Sequence, residues 1–158
     1  MEKSKLNKIK IKDPLKNRFS KITEDLYWAR IPLPFRLDHV NVYAINSNDG
    51  LVIIDTGIDN RLTRKCWGEI IENLPPSLSV SKLIITHHHP DHIGASKFLS
   101  NKLNIKVFAH KIELQRATKI MSFTDIEYGK LLSSNYQDFG LDEKLINRVK
   151  NQGNNFKK

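Results

Sequence analysis

Residues 86–92 read Thr-His-His-His-Pro-Asp-His, directly after the apolar run Leu83–Ile85. Four of the chain's six histidines fall within those seven positions. A short apolar strand that ends in such a cluster and leads into a helix puts its polar side chains at the C-terminal edge of a sheet, where open α/β sheets bind ligands. That placement constrains the fold more than any other stretch of the sequence.

The spacing has a chemical meaning. In an extended segment, side chains at i and i+2 point to the same side, and Pro90 biases His89 towards extended backbone. His87 and His89 can therefore converge on one ion, with His88 directed away. Asp91 and His92 follow one turn later and are placed to serve a second, neighbouring ion. Imidazoles with a single carboxylate suit Zn²⁺, or Fe, Mn or Co, better than Ca²⁺ or Mg²⁺. A structural-only metal site would require four closed protein ligands, and no second ligand pair is visible elsewhere.

Apolar patterning predicts strands at Leu26–Ile31, Val40–Ile45, Leu51–Ile54, Lys82–Ile85 and Lys106–Ala109. Asn46–Gly50 is a hairpin turn signal. The wholly apolar Leu51–Ile54 is expected to be buried on both faces. Helices are predicted over Leu62–Leu74, which Pro75 and Pro76 stop, over Ile93–Leu103 and over Ile112–Ile120. Thr124 to Glu127 form a capping-box pattern opening a further helix that Gly140 ends, and Asp142–Val149 makes one more. Strands alternating with helices predict helices packed on a mixed sheet. Residues 1–21 are expected to be a basic, poorly ordered arm, 22–150 one domain, and 151–158 a polar tail.

The longest apolar runs are far short of the ~20 residues needed to span a bilayer, and the lysine-rich start has no apolar segment typical of a secretory signal. One cysteine, Cys66, cannot form an internal disulfide. It falls in a helical pattern beside Trp67 and is expected to be a buried, inert thiol. These features together predict a cytoplasmic protein. The net charge of +9 raises nucleic-acid binding, but the basic residues are scattered and no aromatic-plus-basic stacking motif accompanies them.

The segment THHHPDHIGAS resembles the T-H-x-H-x-D-H-x-G signature of the metallo-β-lactamase superfamily. VIIDTG, within Leu51–Gly57, resembles that superfamily's first motif, an aspartate ending a buried strand. LYWARIPLPFRLDHVNVYAI is similar to the opening hairpin of its bacterial metallo-hydrolases. The likeness covers roughly residues 22–120, and the helices to about Val149 more weakly. It implies an α+β fold, an αββα sandwich, of which this chain carries the N-terminal half to two-thirds. It also implies one or two Zn²⁺ ions, or Fe or Mn, in a groove at the sandwich edge. His87 and His89 would bind the first metal, and Asp91 and His92 the second. Asp91 would also orient a bridging hydroxide and accept a proton. Asp55 would hydrogen-bond the histidine loop in place, and Gly94 would let the following helix pack closely. The implied activity is hydrolysis of a small ester, thioester or lactone-like substrate by metal-bound hydroxide. Diiron members that reduce oxygen or nitric oxide usually carry Glu where this chain has His89, so His89 favours hydrolysis.

The loop before the second strand overhangs the metal groove in relatives. His39 there is either hydrogen-bonded near the hairpin or part of a substrate groove. Phe35, with Pro34 and Leu37, either walls that groove or forms a flap on the core. The superfamily's later ligands, beginning with a G-H-[ST]-x-G-H-type segment, have no counterpart. His110 is expected to be a loop or helix-start residue. The first metal would thus have two protein ligands where a catalytic site expects three, and the sheet would lack its facing layer. The alternative is therefore a non-catalytic fragment, or a subunit completed by self-association or by a second chain. A nucleic-acid phosphodiesterase is a third reading, suggested only by the charge. The expected partner is a small-molecule substrate, with no membrane role.

Overall fold

The computed structural model describes residues 11–34, 36–140 and 142–150. In chain order these form β1 (Ser20–Lys21), β2 (Leu26–Pro32), β3 (His39–Ser47), β4 (Gly50–Ile54), α1 (Arg61–Glu72), β5 (Val80–Ile85), α2 (Pro90–Ile93), α3 (Ser96–Leu103), β6 (Lys106–Ala109), α4 (Lys111–Ser122), α5 (Asp125–Asp138) and α6 (Glu143–Lys150). The six strands make one sheet in sequence order. β1 to β4 run antiparallel, and β4, β5 and β6 run parallel. The chain is α+β, a mixed sheet with flanking helices. The antiparallel part is joined by short turns; the parallel part needs the crossovers that α1 and then α2 and α3 supply.

One face of the sheet carries the core. Ile31, Val42, Ile53 and Leu83 point from neighbouring strands into the same layer, where Trp67, Cys66 and Ile70 of α1 and Leu99 of α3 meet them. Trp67 is fully buried, and its indole N–H donates to the Thr56 carbonyl at 2.6 Å. Its polar handle is thus satisfied inside the core, as a buried indole requires. Asn60 caps α1, its side chain accepting from Thr63 N.

The opposite face carries an apolar row. Trp28 pairs with Tyr43, Tyr43 with Ile54, Ile54 with Ile84, and Ile84 with Phe108. Ile84 and Phe108 are exposed at 38% and 49%. The expectation that Leu51–Ile54 is buried on both faces is therefore corrected. Leu51 and Ile53 are buried while Val52 and Ile54 are half-buried, because among the described residues the core helices cover only one side of the strand.

The predicted helix Ile93–Leu103 is instead two. Helix α2 ends at Ile93, and α3 begins at Ser96. The break falls at Ala95, whose N–H donates to the Gly57 carbonyl at 2.9 Å rather than to a helical carbonyl. Residues 11–21, within the expected arm, carry contacts to the domain. Lys21 pairs with Tyr27, Asp13 bridges Arg30 at 2.7 Å, Asn17 donates to Glu69 at 2.6 Å, and Phe19 meets Trp67 edge to face. Residues 1–10 and the tail 151–158 lie outside the described residues. Thr124 and Glu127 form the capping box that opens α5.

Candidate metal centre

β4 and β5 are parallel neighbours, so Asp55 and the histidine cluster leave the sheet side by side at its C-terminal edge. The chain turns sharply at Asp55, at φ +64°. This left-handed conformation is uncommon outside glycine and is best tolerated by Asn and Asp. It lets Asp55 donate its backbone N–H to Ile84 O at 2.9 Å while its carboxylate faces the next loop. One carboxylate oxygen accepts Thr86 N at 2.8 Å. The other, Oδ2, accepts the Thr86 hydroxyl at 2.7 Å and lies 2.8 Å from His92 Nδ1. In return, the His92 carbonyl accepts the backbone N–H of Thr56 at 2.9 Å and its hydroxyl at 2.7 Å. Gly94 sits where these segments cross. A side chain there would meet the Pro90 carbonyl, Asp59 N at 2.9 Å and Ile58 Cα at 3.0 Å.

These bonds orient the imidazoles. The Thr86 hydroxyl gives its single proton to Asp55, so at 3.0 Å from His87 Nδ1 it acts as an acceptor. His87 Nδ1 then carries hydrogen, and Nε2 is left with its lone pair. His92 donates Nδ1–H to Asp55 and likewise keeps Nε2 as the open donor atom, the arrangement that tunes metal-binding histidines. The His87 ring centroid is 4.6 Å from that of His89 and 4.0 Å from that of His92. Asp91 Oδ2 lies 3.6 Å from His92 Nε2. His87, His89, Asp91 and His92 are thus brought together.

Electrostatics follow from the geometry. Burial alone would raise the Asp55 carboxyl, but hydrogen bonds from His92 and from Thr86 bring it below its ordinary value. The bond to Asp55 lifts His92 above the usual imidazole value against the effect of burial. Burial, then the neighbouring His92 and His89, lower His87, which favours the neutral ring that a metal needs.

The remaining candidates are placed elsewhere. His88 pairs with Glu113, its Nδ1 2.6 Å from Oε2, while its ring stays edge to face with that of His89 at 4.9 Å. His110 is the N-cap of α4, accepting from Ile112 N at 3.3 Å. His39 opens β3 and lies 2.5 Å from Asp38 Oδ1. Phe35 lies outside the described residues. Among the described residues, no three His, Cys, Asp or Glu side chains form a group that could hold a metal ion as they stand. The donors His87, His89, Asp91 and His92 fit a zinc-type ion in chemistry, and their Nδ1 partners are in place, but the number falls short of three converging ligands.

Sequence reasoning did not find Thr86 or Glu113. Thr86 carried a signal, its position between a buried strand and the first histidine. Glu113 lies 25 residues beyond His88, and only its place in the first turn of a helix marked it.

The family model of the metallo-beta-lactamase superfamily matches residues 35–154. The chain belongs to the metallo-beta-lactamase superfamily. Within that superfamily it is similar to the probable metallo-hydrolase YqjP of Bacillus subtilis, at 31% identity over 130 residues, 78% of this chain and 40% of that protein. It is also similar to ribonuclease J 1 of Streptococcus pyogenes, at 35% identity over 82 residues, 47% of this chain and 14% of that protein. Among solved structures, a beta-lactamase domain protein from Burkholderia ambifaria superposes with a TM-score of 0.63 and 26% identity, covering 71% of this chain and 38% of that one. The chain spans about two fifths of the length of YqjP and of the Burkholderia protein. No helix of the described residues is long and apolar enough to cross a membrane.

Proposed function

We propose that this superfamily member is a metal-dependent hydrolase of a small ester, thioester or lactone-like substrate. One observation carries the reading: His87, His89 and His92 lie with Asp91 just beyond the end of β5, with His92 locked by Asp55 at the end of the parallel β4. His87 and His89 would hold one ion, and Asp91 and His92 a second. Held there, a Zn²⁺-type ion would supply a water of pKa lowered towards ~7 and a polarised substrate carbonyl. The chain's own residues do the rest. Asp55 and Thr86 keep Nε2 of His92 and His87 available. Asp91, with its side chain 28% exposed at the start of α2, accepts a proton from the attacking water and returns it to the leaving group.

The test is native mass spectrometry of the purified chain with added Zn²⁺, beside hydrolysis of an activated ester and an activated thioester. The expected result is bound zinc and turnover, both lost in a His87→Ala/Asp91→Ala variant. Neither zinc nor turnover above that variant overturns the reading.

The absence of a three-ligand group among the described residues favours a second reading, a chain inactive alone and completed by a second copy or another polypeptide. Zinc bound only in a defined oligomer would distinguish it. The +9 charge and the similarity to ribonuclease J 1 support a nucleic-acid phosphodiesterase as a third reading. RNA binding that falls steeply with salt is then expected, and salt-insensitive binding would remove it.

A further inference from the structure

We propose that Glu113 is a positioning residue for the histidine cluster, acting through His88; the proposal rests on the hydrolase reading above. Glu113 reaches out from the first turn of α4, and its Oε2 meets two groups of the same residue. It lies 2.6 Å from His88 Nδ1 and accepts the His88 backbone N–H at 3.1 Å. Both side chains are largely out of solvent, at 16% for Glu113 and 18% for His88. The carboxylate's other oxygen meets Arg116 at 3.0 Å, a contact that adds little to its placement because the Arg116 side chain is 60% exposed, and the His110 cap fixes the turn of helix from which Glu113 projects. An ordinary surface ion pair joins two side-chain tips and constrains little else. Here a single oxygen fixes backbone and ring together, so it sets both where His88 is and which way it points.

Adjacency does the rest. The backbone bends at His87 and His88, so fixing the His88 backbone and ring sets where the flanking His87 and His89 leave the loop. The His88 ring lies edge to face with that of His89 at 4.9 Å, and the His87 and His89 centroids are 4.6 Å apart. Asp55 holds the backbone at Thr86 from the opposite flank. His87 is therefore presented between two clamped residues, each clamped by a carboxylate from another part of the chain. Glu113 touches no expected ligand, and its effect passes through the His88 backbone and the contact of the His88 ring with His89. Outer groups that orient metal-binding histidines commonly change metal affinity by about 10–100-fold.

The experiment uses the full chain with Glu113→Ala, Glu113→Gln and, as a control that leaves the His88 contact, Arg116→Ala. Zinc affinity is read by competition with a chromophoric chelator, and amide hydrogen exchange of residues 86–92 is read without metal. We expect Glu113→Ala to weaken zinc binding about 10–100-fold and to release the His88 amide to exchange. Glu113→Gln, which retains an acceptor oxygen, should recover most of both, and Arg116→Ala should change neither. Wild-type zinc affinity in Glu113→Ala overturns the proposal. If the wild-type chain binds no zinc, the hydrolase reading fails instead. Hydrogen exchange then decides whether Glu113 holds the loop: faster exchange at His88 in Glu113→Ala supports it, and unchanged exchange overturns it. If Glu113→Ala does not fold, Glu113→Gln and His88→Ala carry the same comparison.

Discussion

Oδ2 of Asp55 lies 2.8 Å from Nδ1 of His92, 37 residues further along the chain. The same carboxylate also takes both the backbone and the hydroxyl of Thr86. Although Asp55 is 5% exposed, the three donors its removal leaves without an acceptor are only partly shielded, two of them on the exposed Thr86, and the new residue inherits a backbone at φ +64°. Each unsatisfied donor costs roughly 1–3 kcal/mol, partly relieved by water at this edge. We expect Asp55→Ala to lose about 3 kcal/mol of stability. Asp55→Asn, which tolerates the left-handed backbone and keeps one carbonyl acceptor, should lose about half of that. Urea unfolding checks both values, and equal losses in the two variants would contradict the assignment of strain to this position.

Gly94 makes a different kind of demand. Its backbone is ordinary right-handed helix, so conformational freedom is not the reason for a glycine. Space is the reason: a Cβ would meet backbone atoms of Ile58 and Asp59 as well as the Pro90 carbonyl. Backbone cannot swing aside as a flexible side chain does. Gly94→Ala should therefore destabilise by about 1–3 kcal/mol, although alanine is normally the better helix former. Gly68 of α1, where a Cβ meets nothing within 4 Å, is the control, and Gly68→Ala should be neutral or stabilising. Thermal unfolding of the two variants in parallel reads the contrast.

Much of this was legible in the sequence, and the reason is local. Leu83–Ile85 had to be a strand, Pro90 had to keep His89 extended, and Thr124 with Glu127 had to cap a helix. Each is written in a few consecutive residues. Alternation pointed His88 away from both neighbours; its ring does reach Glu113, but the backbone bends at His87 and His88 and the ring stays 4.9 Å from that of His89. What was not legible depends on distance in the chain. No pattern in 110–116 announces that Glu113 reaches His88. The break between α2 and α3 is set by the carbonyl of Gly57, which captures the Ala95 N–H, and periodicity could not show that. The apolar pattern of Leu51–Ile54 was misleading for a related reason: it records the chemistry of both faces, but not whether both are covered.

The two faces of the sheet give a direct comparison at adjacent residues. Leu83 is fully buried against α1 and α3, while Ile84 points into the open apolar row at 38% exposure. Leu83→Ala should cost about 2–5 kcal/mol, through lost burial and the cavity it leaves. Ile84→Ala should cost under about 1 kcal/mol, because much of that side chain already meets water. Chemical denaturation of the two variants measures this. Similar losses would mean that the Ile84 face is covered in solution, by a second copy or another chain, and sedimentation of the Ile84→Lys variant would then separate self-association from a foreign partner.

Cys66 provides the clearest pH dependence. Its thiol is 3% exposed in the core, and burial, helped by the nearby Glu69 carboxylate, pushes it from 9.0 up to about 11. The native state therefore holds its proton through a range in which the unfolded chain releases it. By linkage, stability is unaffected by this group below about pH 9. It falls as pH rises from about 9 to about 11, and levels off above that, because the native state binds more protons throughout the window. The thiolate is the reactive form, so at pH 8 a thiol pushed up to about 11 should be alkylated by iodoacetamide about a hundredfold more slowly than in the urea-unfolded chain. A Cys66→Ala variant should lose the alkaline fall that this thiol contributes. Alkylation of native and unfolded chains at similar rates would place the thiol in solvent and remove it from the packing between α1 and β2.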